Sequence, residues 1–184
     1  DVLDWLKIER VIVIGHYTGG VIAVEMAAAY PARVDRVVLS GPVYTDATGR
    51  AELARFFKQW EISPDGDHLT DKWRKMHEWL PRPDLVQRFV VDLFHAGTES
   101  EQGHYAVADY RMEDRLPLVR CPALLLYCSR DPFATAERAA ALRAAFKPCQ
   151  EAVVDGGIFA ANENPAGYAR AVLDYVLQEP LANR

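Results

Sequence analysis

The stretch VIVIGHYTGG, Val11 to Gly20, constrains this chain more than any other. Val11 to Ile14, entered from Arg10, form a short, continuously apolar, β-branched run. That is the pattern of a strand buried on both faces of a parallel sheet. Glycine then brackets a bend, and VIAVEMAAA continues as a helix, from Gly20 to Tyr30, that Pro31 closes. A strand that passes straight into a helix needs small residues at both ends of the bend, because larger side chains would collide there. The residue at the apex is Tyr17.

The same alternation recurs downstream. VDRVVLSGP (Val34 to Pro42), PALLLYCSRD (Pro122 to Asp131) and CQEAVVDGG (Cys149 to Gly157) read as further strands. ATAERAAALRAAF, Ala134 to Phe146, and NPAGYARAVLDYVLQ read as helices, the latter with Pro165 in its first turn, where proline costs least. Strands alternating with helices predict an α/β fold, a mostly parallel sheet with flanking helices joined by right-handed crossovers. Between Thr45 and Arg120 the pattern changes. AELARFFKQW, HLTDKWRKMHEWL and DLVQRFVVDLFHAG are amphipathic helices without intervening strands, punctuated by Pro64-Asp65-Gly66 and Pro81-Arg82-Pro83. The expected organisation is α/β core over 1–44, a helical insertion lying over the strand ends over 45–120, and core again over 121–184. The opening DVLDWLKIE reads as the last turns of a helix, with further residues expected upstream.

Composition narrows the partners. With 21 Lys and Arg against 26 Asp and Glu, the net charge of −5 speaks against nucleic acid or an anionic membrane. No apolar run approaches a membrane span, and no signal-peptide pattern opens the chain. Cys121, Cys128 and Cys149 are an odd set in a chain of 184 residues, which fits a reducing, cytoplasmic setting better than a disulfide framework. No H-E-x-x-H, C-x-x-C or carboxylate–histidine spacing suggests a metal, and no cofactor is expected.

Gly15-His16-Tyr17-Thr18-Gly19 fits the G-x-S-x-G nucleophile elbow in everything but the nucleophile. Cys128-Ser129-Arg130-Asp131 stands where capped α/β-hydrolases of the epoxide-hydrolase and esterase kind carry G-x-x-D with the triad acid. Asp155-Gly156-Gly157-Ile158-Phe159, then Glu163-Asn164-Pro165, parallels G-G-H-F…E-x-P with the triad histidine. The chain therefore resembles the C-terminal two-thirds of the α/β-hydrolase fold with a helical cap insertion. The resemblance implies a hydrolase of small apolar ester-, lactone- or epoxide-like compounds, with the Thr18 backbone N–H as an oxyanion donor.

Two catalytic positions depart from that pattern. Tyr17 replaces the serine and Ile158 the histidine, while Asp131 stays. Isoleucine carries no proton, and a phenol of pKa near 10 is a sluggish nucleophile without a base. Reading the elbow one residue later, with Thr18 as nucleophile, would put His16 where a small residue is required. Ordinary serine-hydrolase chemistry is therefore not expected. The candidate catalytic pair is Tyr17 and Asp131, joined through the Tyr17 hydroxyl directly or across one water, to orient a carbonyl ligand or act as acid and base. Against this stands a ring that merely plugs the site, with Ile158 packed on it. His16, Phe57, Trp60, Trp73 and Cys128 are candidate pocket residues, His16 more structural than catalytic and Cys128 a small half-buried filler. Phe56 and Trp79 join the apolar faces of the insertion helices. His68, His77, His95 and His104 are expected at exposed helix positions.

The resemblance also implies that Val11 to Ile14 lies at a sheet edge, open where a neighbour should be. Three readings follow: an enzyme on a small apolar molecule, a non-catalytic small-molecule-binding module, or an assembly module pairing with another chain, such as a second copy, through that edge.

Overall fold

The computed structural model describes residues 1–178. The end of the expected 121–184 segment, residues 179–184, lies outside them. The elements run α1 (Val2–Trp5), β1 (Val11–His16), α2 (Thr18–Ala29), β2 (Val34–Ser40), α3 (Ala47–Phe56), α4 (Asp67–Trp79), α5 (Pro83–His95), α6 (Gln102–Asp109), α7 (Met112–Arg115), β3 (Ala123–Cys128), α8 (Ala136–Ala145), β4 (Cys149–Val154), α9 (Ala160–Glu163) and α10 (Pro165–Val176). All strand pairs are parallel, in the order β1-β2-β3-β4. The alternation of strand and helix is thus realised as a parallel sheet with flanking helices.

The central strands β2 and β3 are apolar on both faces because both faces are covered. Val37, Leu39, Ala123 and Leu125 pack with Val21, Val24 and Ala27 of α2 and with Leu142 of α8. Val38, Leu124 and Leu126 point the other way, onto Val172 and Tyr175 of α10. Arg36, only 7% exposed, closes that layer by donating from its two terminal nitrogens to the carbonyls of Tyr175 (2.8 Å) and Gln178 (2.6 Å) at the end of α10. The Tyr175 carbonyl also accepts from the Gln178 N–H (3.3 Å), and the guanidinium adds a side-chain cap at the helix end, where carbonyls run out of intrahelical donors.

The expectation of two-sided burial fails for β1. Val13 packs into the α2 layer, yet Ile12 and Ile14 are 38% and 50% exposed. Its apolar sequence matches the central strands, but β1 stands at the end of the sheet, and no described element covers its second face.

Segment 45–120 carries α3 to α7 and no strand. Met76, Leu80, Val86 and Val90 make its own core, with Trp73, Trp79 and Phe89 packed against it. The short helices α6 and α7 were not apparent in the sequence. They anchor α2: Glu25 of α2 accepts from the Tyr110 hydroxyl (2.8 Å) and from Arg115 Nε (2.7 Å) and its terminal nitrogen (2.8 Å). That bracing fixes the helix whose first residue follows Tyr17.

Candidate active site at the strand-to-helix turn

Tyr17 links β1 to α2 with φ 46° and ψ −111°, a left-handed conformation uncommon for a residue with a side chain. Such strain costs on the order of 1–3 kcal/mol and persists only where neighbours enforce it. Here the Tyr17 N–H donates to the Ser40 carbonyl (3.0 Å), and the Tyr17 carbonyl accepts from Gly20 (2.8 Å) and Val21 (3.2 Å). The steric demand falls on one end of the bend alone. A Cβ on Gly15 would lie 2.1 Å from the Gly19 carbonyl oxygen, whereas a Cβ on Gly19 would meet nothing within 4 Å. The Thr18 N–H opens α2 and has no intrahelical partner.

The ring of Tyr17 lies over Gly41. A Cβ there would come within 2.6 Å of the tyrosine Cε2, and Gly41 itself holds φ 55°. His16 meets the ring edge-on at 4.7 Å and Phe133 at 6.5 Å. Behind Phe133 stand Phe56 (6.2 Å) and Trp79 (5.7 Å), themselves stacked at 5.9 Å. Four aromatic rings thus gather over the turn, brought from β1–α2, α3, α4 and the loop after β3.

The phenol oxygen is fully buried and has no hydrogen-bond partner of normal distance and angle. Asp131 is its polar neighbour: burial first, then hydrogen bonding to the Asp131 carboxylate and that carboxylate's charge, raise the phenol pKa far above its usual value. The direct Tyr17–Asp131 hydrogen bond expected from sequence is not formed within normal limits of distance and angle. Instead Asp131 Oδ1 accepts from the Phe133 backbone N–H at 2.8 Å, an Asx turn over Asp131-Pro132-Phe133. The loop carrying Asp131 is pinned by its neighbours. Arg130 pairs with Asp155 and with Glu163, Ser129 donates to Asp155 (2.8 Å), and Glu163 accepts from the Gly157 N–H (3.0 Å).

His16, the imidazole that touches Tyr17, has both nitrogens engaged. Nε2 lies 2.9 Å from the Ile158 carbonyl and Nδ1 3.0 Å from Ser40 Oγ. A carbonyl only accepts, so Nε2 carries the proton and Nδ1 accepts from the serine hydroxyl. Burial lowers the His16 pKa and so favours the neutral ring, opposed by its carbonyl partner and by Asp131. It ties the ends of β1 and β2 to the loop holding Ile158, whose side chain is buried.

The remaining candidates are dispersed. Cys128 is buried at the end of β3, its thiol pushed up to about 11 by burial and then by Asp131 and Glu163. Phe57 stacks on His104 at 3.6 Å, Trp60 on His68 at 5.6 Å, and Trp73 joins the α4–α5 core. None of these three makes a ring contact with Tyr17. His77 and His95 are exposed as expected, but His68 and His104 are half-buried. His104 Nδ1 meets the buried Glu101 at 2.9 Å, and Lys72 donates to the same carboxylate at 3.1 Å. Gly103 brings α6 against Thr18, where an added Cβ would sit 3.8 Å from Thr18 Cγ2. Sequence reasoning missed Gly41, Ser40 and Phe133. The glycine in LSGP and the Asp-Pro dipeptide were the available signals. No cluster of three or more metal-ligating side chains occurs among the described residues.

Comparison with known proteins agrees with this architecture. The family model described as alpha/beta hydrolase fold matches residues 1–165. A hydrolase from Pseudomonas aeruginosa PA01 superposes with TM-score 0.70 at 20% identity, over 95% of this chain and 68% of that one. The enol-lactonase from Burkholderia xenovorans LB400 gives 0.68 at 22% identity, over 96% and 69%. The esterase EaEST from Exiguobacterium antarcticum gives 0.70 at 18%, over 96% and 70%. No curated protein matches. At these identities the structural likeness carries the fold and not the activity. With the family match extending from the first residue through Pro165, the chain belongs to the α/β hydrolase fold family.

Proposed function

We propose that this chain keeps the hydrolase fold as a small-molecule-binding module and does not carry out acyl transfer through a serine-type mechanism. The observation that carries the reading is the Tyr17 phenol, buried at the apex of the bend with no hydrogen-bond partner. Acyl transfer needs a nucleophile and a base that touches it. Here the phenol is held neutral, Ile158 occupies the histidine position, and His16 has committed both nitrogens elsewhere. Phe133 meets the Tyr17 ring edge-on, with Phe56 and Trp79 against Phe133. Tyr17 and Asp131, the candidate catalytic pair, are on this reading a structural plug and a loop anchor. A panel of p-nitrophenyl esters tests it, with Asp131→Asn as control. Rates at background for both proteins are expected, and wild-type turnover that Asp131→Asn abolishes would return the chain to the enzymes.

The open edge of β1 favours a second reading, assembly. Ile12 and Ile14 of that strand are exposed apolar side chains, at 38% and 50%. A flat apolar edge is a template for pairing, and a two-fold dimer would join β1 to its own copy. Light scattering of wild type and Ile14→Lys tests this: association that the lysine disperses supports it, and a monodisperse wild-type monomer rejects it.

A further inference from the structure

The cleft between α5 and α9 shares no residue with the Tyr17 turn. Its floor is apolar: Leu80 is 1% exposed, and Phe89 meets Phe159 with ring centroids 4.8 Å apart. On α5 the lining residues Leu85, Arg88, Phe89 and Asp92 recur at i, i+3, i+4 and i+7, so one helix face forms the wall. The rim is polar, with Arg88 and Asp92 on α5 and Asn162 from α9, all exposed. Arg88 and Asp92 stand four residues apart, where helical neighbours can pair. Yet neither enters an ion pair among the described residues. The space is about 170 Å³, well above what a single water needs and enough for one compact molecule.

We propose that this cleft binds an apolar α-amino acid as its zwitterion. The carboxylate meets the guanidinium fork of Arg88, with the Asn162 amide as a second donor. The ammonium meets the Asp92 carboxylate, and the side chain lies on Leu80, Leu85, Phe89 and Phe159. A plain carboxylic acid would face Asp92 across like charges, and a plain amine would face Arg88 likewise. Both signs on one rim select a ligand bearing both. This inference gives the binding reading a ligand class but rests on other residues. Ester turnover lost in Asp131→Asn would defeat that reading and leave this one standing.

The test is an NMR titration of the full chain with L-phenylalanine, then with phenylacetate and phenethylamine, each lacking one charge. L-Phenylalanine should shift resonances around Phe89 and Phe159, and each analogue should bind at least about tenfold more weakly. Arg88→Gln and Asp92→Asn should each weaken L-phenylalanine by about tenfold or more, with melting temperatures unchanged because neither side chain holds an ion pair in the fold. No shift at millimolar L-phenylalanine, shifts elsewhere on the molecule, or an affinity indifferent to either substitution would overturn the proposal.

Discussion

Replacing Tyr17 by phenylalanine removes one oxygen and leaves the ring where it packs. That oxygen is buried without a partner, while in the unfolded chain water hydrates it. Burying a polar group unsatisfied costs about 1–3 kcal/mol. Its removal should therefore stabilise the protein, by about 1–2 kcal/mol once incomplete relief is allowed for. For a chain of this size each kcal/mol moves the melting temperature by about 2–4 °C, so Tyr17→Phe should melt a few degrees higher by circular dichroism. A double-mutant cycle with Asp131→Asn separates neighbourhood from bonding. The coupling should be under about 0.5 kcal/mol if no hydrogen bond joins the two groups. A lower melting temperature for Tyr17→Phe, with coupling above about 1 kcal/mol, would refute the argument and reinstate the phenol–carboxylate pair.

Gly41→Ala should destabilise by about 2–4 kcal/mol, since it combines a left-handed φ with overpacking against the Tyr17 ring; adding Tyr17→Ala should recover the packing share, measured by denaturant unfolding. The His16 pKa is lowered in the fold, while the unfolded chain takes up a proton near 6.5. Stability should be full above pH 6.5 and decline as pH falls below it, and His16→Gln should flatten urea midpoints between about pH 7.5 and 5.5. Arg36→Met removes the guanidinium donors from the Tyr175 and Gln178 carbonyls; it should lower stability by about 1–3 kcal/mol and speed amide exchange in the last turn of α10.

The sheet and its helices were legible because periodicity reports which faces are buried. The apolar runs within Val34–Ser40 and Ala123–Cys128 and the Pro165 helix start fall where the sequence indicated. The exposure of Ile12 and Ile14 was not, since an apolar run does not say whether a helix covers both faces. At the turn, the residue types at positions 15, 17, 131 and 158 could be read directly. Their geometry could not. The Asx turn that occupies Asp131 and the two bonds that occupy His16 depend on where loops from distant segments converge. Phe133 and Gly41 shape the Tyr17 environment through contacts between residues far apart in the chain, which local pattern does not encode.

The central claim is that the bend holds a plug in place of a nucleophile. Intact-mass measurement after incubation with a fluorophosphonate probe tests it most directly, because any residue activated for acyl transfer takes up the probe stoichiometrically. The account predicts an unchanged mass for the folded protein. A one-to-one adduct on Tyr17 that Asp131→Asn prevents would contradict it.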